Sequence, residues 1–406
     1  MCKITAPYIG GTPMNILLVV AIALIGGLLL SRLATLAKLP NVTAFLIAGL
    51  LIGPSVLGLI PHESLASMSI VSEAALGFIA FSIGGEFKLS HLKKIGKAPL
   101  TITAAQGIAT ALFIDVGLIL LGFDVPTALL LGAIGLATAP AATLMVVRQY
   151  KADGPVTRML LPVVAMDDAL GLMVYSISAS VAQALLGGEM TVSSMLVAPL
   201  VEIVGSLALG VALGLVLTYA ANFFRSRGNK LALTIACVLL GVALCGMWHL
   251  SSLLVCMMIG AVVVNMSNKA GVIMEQTDRF TPPLFLLFFV LSGAELDLSV
   301  LPMVGVLGAA YVILRSLGKC LGTTAGALMV KSDKNIRNYL GFTLLPQAGV
   351  AIGMAQLTVG RFPELGTMIN TVVLAGVLVF ELLGPIITKW ALSKAGEIPQ
   401  AQKSKA

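Results

Sequence analysis

Charge is what this sequence has least of. Only 11% of its 406 residues are Asp, Glu, Lys or Arg, against 58% hydrophobic, and the mean hydropathy is +1.03. Such a composition is too apolar for domains that fold in water, so the soluble architectures are excluded and an all-α polytopic membrane protein is expected. Extramembrane domains are lacking too. No segment between the apolar runs is long enough to fold by itself, and the C-terminal "SKAGEIPQAQKSKA" is too small to bind a nucleotide, so function is expected inside the bilayer with no resident cofactor. A cleavable signal peptide is not expected, because the first apolar stretch is too long for an h-region and has no small-residue cleavage site. Cys2, Cys237, Cys245, Cys256 and Cys320 lack metal-ligand spacing, and all but Cys2 fall in apolar runs, where packing is the expected role.

What the chain does have is apolar runs long enough to cross the roughly 30 Å hydrocarbon layer, about 20 helical residues each. Thirteen are expected, at 14–38, 40–60, 64–86, 97–121, 125–148, 155–186, 192–222, 230–247, 250–267, 276–297, 300–329, 335–359 and 365–390. The net charge of +7 would suit a nucleic acid only if it were gathered on a soluble face. Instead, every Lys and Arg except Lys3, Arg361, Arg315 and Lys319 lies toward the side of Lys38, "KLSHLKKIGK", "VRQYKADGPVTR", "RSRGNK", "KSDKNIR" and the tail. The positive-inside rule then puts the N-terminus outside and the C-terminus in the cytoplasm, with lipid as the partner and no nucleic acid. An odd number of spans agrees.

The sequence also matches itself. "IGGEFKLSHL" (83–92) resembles "SGAELDLSVL" (292–301), and "LLGAIGLATAPA" (130–141) falls on "YLGFTLLPQAGV" (339–350), both at an offset of 209. A first six-helix repeat over 14–186, a linking helix over 192–222, a second repeat over 230–390 and a short cytoplasmic tail over 391–406 follow. The intervening helix makes the second repeat inverted.

Two spans are interrupted. "ATAPAATLMVV" places Pro140 between Thr138 and Thr143, and "LLPQAGVAIGMA" combines Pro346, Gln347 and Gly349. Proline removes an amide and clashes with the preceding turn, and glycine eases departure from helical geometry. Either interruption alone reads as a simple kink; matching interruptions in both repeats point to a midplane binding site.

Asp167 and Asp168, in "PVVAMDDALGL", lie about twelve residues into the sixth span, roughly 18 Å along its axis. An acid at that depth costs at least ~2.5 kcal/mol, so two together need water, a cation or a base. A structural ion pair accounts for one of them but not for both, since adjacent carboxylates repel unless a proton or cation lies between them. Arg315 and Lys319, four apart and so on one face of the eleventh span, are the available bases. Glu73, Asp115, Glu202 and Glu381 also lie within spans, where structural pairing or an interfacial position is expected, and Glu73 is the expected neutraliser of Arg315. His62, His91 and His249 are expected to be exposed at helix ends.

On "AFLIAGLLIGPSVLGLI" (44–60), "LGFIAFSIGGEFKLSHL" (76–92), "MDDALGL" (166–172), "FLLFFVLSGAELDLSVL" (285–301) and "LLPQAGVAIG" (344–353), the chain resembles the monovalent cation:proton antiporters. The double aspartate places it with the branch that includes bacterial sodium/proton antiporters. The resemblance covers essentially the whole chain. It implies that Asp168 binds the cation or a proton, that Asp167 pairs with Lys319, and that Thr138 helps line the site. It also implies a bacterial-type inner (cell) membrane, a mobile core from spans three to six and ten to thirteen, and a scaffold of the remaining spans that forms a homodimer. Two departures stand out: Gln347 is neutral where some relatives carry a charge at the break, and Arg315 is a second base, leaving open which base pairs with Asp167. The short tail departs from the ligand-gated potassium-efflux relatives.

The expected function is therefore electrogenic exchange of Na+, with Li+ or K+ as alternatives, for protons by alternating access; the chain is not expected to be an enzyme. An intramembrane aspartyl protease needs acids on separate helices and a Gly-x-Gly-Asp motif that is missing here, and no repeated filter loop suggests a channel.

Overall fold

The structure, a computed structural model, describes residues 15–399 except 37–38, 86, 90–95, 187–196, 249, 297, 299–301 and 303. His91, His249, the side chain of His62, the first residues of the seventh span and the tail beyond residue 399 lie outside the described part. The described residues are helical throughout, without strands: α1 (Ile16–Leu36), α2 (Asn41–Ile52), α3 (His62–Gly85), α4 (Ala98–Leu120), α5 (Val125–Gly135), α6 (Pro140–Tyr150), α7 (Pro155–Leu185), α8 (Ala198–Phe223), α9 (Arg227–Trp248), α10 (Ser252–Met266), α11 (Ala270–Glu295), α12 (Gly305–Met329), α13 (Lys334–Thr343), α14 (Gly349–Arg361) and α15 (Pro363–Lys394).

These helices fall on the thirteen expected segments. The fifth divides into α5 and α6 and the twelfth into α13 and α14, each at its Pro or Gly interruption. The second segment is shorter than expected and leaves the helix after Ile52, because Pro54 has no amide and disfavours helical geometry at Gly53, whose backbone is extended. Nine stretches of the described residues are long and apolar enough to cross a membrane; α2 and α10 are shorter apolar helices.

The chain forms two compact units, one from residues 1–93 and 201–298, the other from 94–200 and 299–406. In the first, glycines bring helices into backbone contact. A Cβ added at Gly49 of α2 would lie 1.9 Å from the Val290 carbonyl oxygen of α11, and one at Gly293 of α11 would lie 2.1 Å from that of Leu46. Gly84 of α3 meets the Met257 carbonyl of α10 at 1.8 Å in the same sense, and Gly260 meets that of Phe81 at 2.1 Å. Small residues allow such crossings where lipid supplies no hydrophobic drive for helix association. The third and tenth spans, expected in the core, therefore group with this unit.

The second unit carries both broken segments. Gly318, Gly322 and Gly326 recur every four residues on α12 and face α4, where added Cβ atoms would come within 2.6 Å of Thr110 Cα, 2.6 Å of Ala109 Cβ and 2.9 Å of Ile102 Cα. α7 begins at Gly154 with no side-chain cap of its own. Its first free amides are taken from elsewhere: Val156 and Thr157 donate to the Glu397 carboxylate at 2.6 and 2.8 Å, the Thr157 hydroxyl adds 2.7 Å, and Asp153 donates to the Glu397 carbonyl at 3.0 Å. An anion at a helix N-terminus satisfies orphan donors and the helix dipole together.

Gly322→Val is expected to force α4 from α12 and destabilise the purified protein by about 1–3 kcal/mol. Gly353→Ala, at a helical glycine whose Cβ position is open, is expected to be neutral or stabilising by up to about 1 kcal/mol. Thermal unfolding in detergent checks both, and equal melting temperatures for the two variants would refute the close crossing.

Candidate cation and proton site

All of the site lies in the second unit. α7 carries Asp167 and Asp168 fully into the interior, 0% and 2% exposed. Neighbours on a helix point about 100° apart, so the two carboxylates meet different surroundings. Asp167 is held on every side. Gln106 Nε2 of α4 donates to its Oδ1, and Oδ2 accepts from the Thr138 hydroxyl at 2.6 Å and from Lys319 Nζ at 3.1 Å. The ammonium of Lys319 also donates to Thr138 Oγ1 at 2.8 Å and to the Leu136 carbonyl at 2.6 Å, which uses all three of its donors. Asp168 differs: both of its oxygens are buried and neither meets a donor among the described residues.

The breaks explain the bases. A helix ending inside a membrane leaves carbonyls without intrahelical partners, and its C-terminal end is negative. Arg315 answers this at both breaks. Its Nε donates to Gly135 O at 2.8 Å and Nη2 to Ala137 O at 2.8 Å, at the end of α5, while Nη1 donates to Leu345 O at 2.7 Å, just past α13. Its guanidinium also lies 4.3 Å over the Phe380 ring. Gln347 adds Nε2 to Ile134 O at 3.1 Å and exchanges hydrogen bonds with the Tyr311 hydroxyl. The breaks also bond directly, through Ala139 N to Pro346 O at 2.8 Å, and the Thr143 hydroxyl reaches Ala139 O at 3.3 Å and Thr343 O at 3.5 Å. Pro140 opens α6, and Gly349 opens α14.

The structure thus brings together Asp167, Thr138 and Lys319, with Asp168 adjacent, and sets Pro140, Thr143, Pro346, Gln347 and Gly349 at the breaks. Lys319, not Arg315, pairs with Asp167. Glu73, exposed on α3, is not the neutraliser of Arg315: carbonyls rather than a carboxylate accept from the guanidinium among the described residues. Gln106 and Tyr311 join the site without having been singled out in the sequence. Gln106 is a glutamine inside an apolar span, and Tyr311 lies one helical turn before Arg315 on the stripe that continues to Lys319.

Removing one partner of a buried ion pair leaves an uncompensated charge, which costs about 3–5 kcal/mol. Lys319→Met is therefore expected to lower stability by that order, and Asp167→Asn/Lys319→Met to recover most of it. Melting temperatures of the two single variants and the double variant test this, and additive losses would show that the two groups do not interact.

Residues 20–394 match the profile of the transmembrane sodium/hydrogen exchanger family. Among named relatives, the chain is 24% identical to the ammonium/H+ antiporter subunit AmhT of Alkalihalophilus pseudofirmus, over 88% of this chain and 90% of that protein. It is 32% identical to Na+/H+ antiporter 1 of Methanocaldococcus jannaschii over a shorter stretch, 38% of this chain and 37% of the relative. Two solved structures of the M. jannaschii sodium proton antiporter MjNhaP1 share the fold. One, at pH 8, has a TM-score of 0.72 at 20% identity and covers 94% of this chain and 98% of its own. The other, an electron-microscopy map, has a TM-score of 0.77 at 21% identity and covers 95% and 100%. A family profile matched over residues 20–394 spans nearly the whole chain: the chain belongs to the sodium/hydrogen exchanger family of transporters, as a multi-pass cation/proton antiporter.

Proposed function

We propose that the chain exchanges Na+ for protons across the cell membrane by alternating access and that the exchange is electrogenic. Asp168 carries this reading. A carboxylate buried without a donor is costly unless something neutralises it, and a small hard cation or a proton does so equally well. The two loads exclude one another, and exchange follows from that competition. Asp167 and the Thr138 hydroxyl add oxygens beside it. Release and deprotonation of Lys319 as the cation enters would carry two protons for each Na+; a Lys319 that keeps its proton would give one for one. Li+ and K+ are the alternative cargoes, and the name of one relative adds ammonium to the set worth testing.

Several further features belong to the same proposal: a homodimer built on the scaffold helices, an outer N-terminus and cytoplasmic C-terminus in an inner membrane, and two inverted repeats over 14–186 and 230–390 joined by 192–222. The offset of 209 supports the repeats, since it superposes Gly84 on Gly293, both at backbone crossings, and Thr138 on Gln347, both at breaks.

Proteoliposomes with an internal pH dye test the reading when Na+, Li+, K+ and ammonium are added in turn. Wild type is expected to answer a cation with proton movement, and Asp168→Asn is expected to lose the response. Because protons compete with the cation, the apparent KM for cation should rise as pH falls while the maximal rate holds. A KM independent of pH would remove the competition, and cation conductance uncoupled from the pH gradient would indicate a channel.

A further inference from the structure

Glu381 of α15 is the one other acid, among the described residues, that is less than a tenth exposed within the membrane-spanning part of the site-bearing unit. It is 4% exposed, its Oε2 is enclosed without a donor, and it has no hydrogen bond or ion pair among the described residues. Of the structural pairing or interfacial position expected of it, the pairing is absent there. Pro385, four residues on, has no amide to give to the Glu381 carbonyl.

The flanking positions lie against the transport machinery. Phe380 packs under the Arg315 guanidinium, and Gly384, on the turn after Glu381, sits where a Cβ would lie 2.8 Å from Pro346 Cγ at the break. Asn370 and Thr388 stand eleven residues before and seven after Glu381, which at 3.6 residues per turn puts all three within about 20° of one face and over about 27 Å of rise. Asn370 Oδ1 and Thr388 Oγ1 are also buried without a partner among the described residues. Three buried, unpartnered acceptors thus lie along one face of α15, with the acid between the other two.

The bases on the helices packed against α15 are engaged elsewhere or unpaired with Glu381. Arg315 is committed to carbonyls, Lys319 to Asp167, Arg361 to Gln183 and Tyr311 to Gln347, and Lys389 of α15 itself lies over the Tyr150 ring. Arg148, Lys334, Arg337, Tyr339 and Cys320 on those helices, and Glu364 and Lys394 on α15, form no ion pair or hydrogen bond with it.

From this we propose that Glu381 binds and releases a proton in each transport cycle, as a proton site separate from the α7 pair. A hydronium on one side gives its proton to the carboxylate, forming an O–H bond and leaving water; the reverse transfer to water on the other side restores the carboxylate. The inference rests on the exchange reading above. A proton-carrying acid at this position explains why an unpaired carboxyl is kept where insertion costs at least ~2.5 kcal/mol.

Glu381→Gln and Glu381→Asp, purified as full-length protein and checked for a single gel-filtration peak, are compared with wild type in proteoliposomes and by Na+-induced thermal shift. Glutamine mimics a permanently protonated carboxyl. Exchange in Glu381→Gln should fall at least tenfold while the Na+-induced shift remains, and Glu381→Asp should retain exchange with its pH profile displaced by about half a unit or more. Wild-type rates in Glu381→Gln from pH 6 to 9 would show a carboxyl that never cycles and would overturn the proposal. Loss of the Na+-induced shift in Glu381→Gln would overturn it also, by making Glu381 part of the cation site or its support. Absence of exchange in wild type would instead remove the exchange reading itself, so the two failures are told apart.

Discussion

Within lipid, backbone that leaves the helix must find its partners in protein, and the rest of this structure is arranged around that demand. Two helices stop at mid-course in the second unit, and each stop leaves carbonyls that water cannot reach. The two bases of α12 meet them. Arg315 gathers carbonyls from both breaks, and Lys319 takes the carbonyl of Leu136 before it reaches Asp167. Neutral Gln347 at the second break is then no deficiency, because the balancing charge comes from a neighbouring helix and Gln347 contributes one donor more.

That arrangement divides the labour between the two bases and the two acids. Each of the three guanidinium nitrogens of Arg315 donates to main chain, which positions it to stabilise the breaks. Lys319 is shared between main chain, hydroxyl and carboxylate, so its hold on Asp167 is one contact among three. Asp167 is fixed by Gln106, Thr138 and Lys319, whereas Asp168 meets no donor among the described residues. Two acids in succession thus meet opposite surroundings, and on the exchange proposed above the unpaired one is the group that takes the load.

The sequence disclosed the class, the thirteen segments, the breaks and the acids, because each is written in local composition: a charge in an apolar run or a proline at depth is visible without tertiary knowledge. The partners of Arg315 were hidden, since a search among acids for its counter-charge overlooks carbonyls, which every residue has and only a break exposes. Glu73 was a reasonable choice by that logic and wrong for that reason. Gln106 contributes through a crossing that depends on Gly318, Gly322 and Gly326 being small, and only packing shows which residue they face. The early end of α2 was legible in "GPSVLG" but was read as apolar length. Glu397, twelve residues beyond Pro385, carried no signal that it caps a helix beginning at residue 155.

The bond from the Ala139 amide to the Pro346 carbonyl has a mechanical meaning. Two interrupted helices tied at their midpoints, and clasped again by one guanidinium, cannot slide past each other without exposing main chain to hydrocarbon. The two breaks are therefore held as one joined element rather than as two independent helix ends.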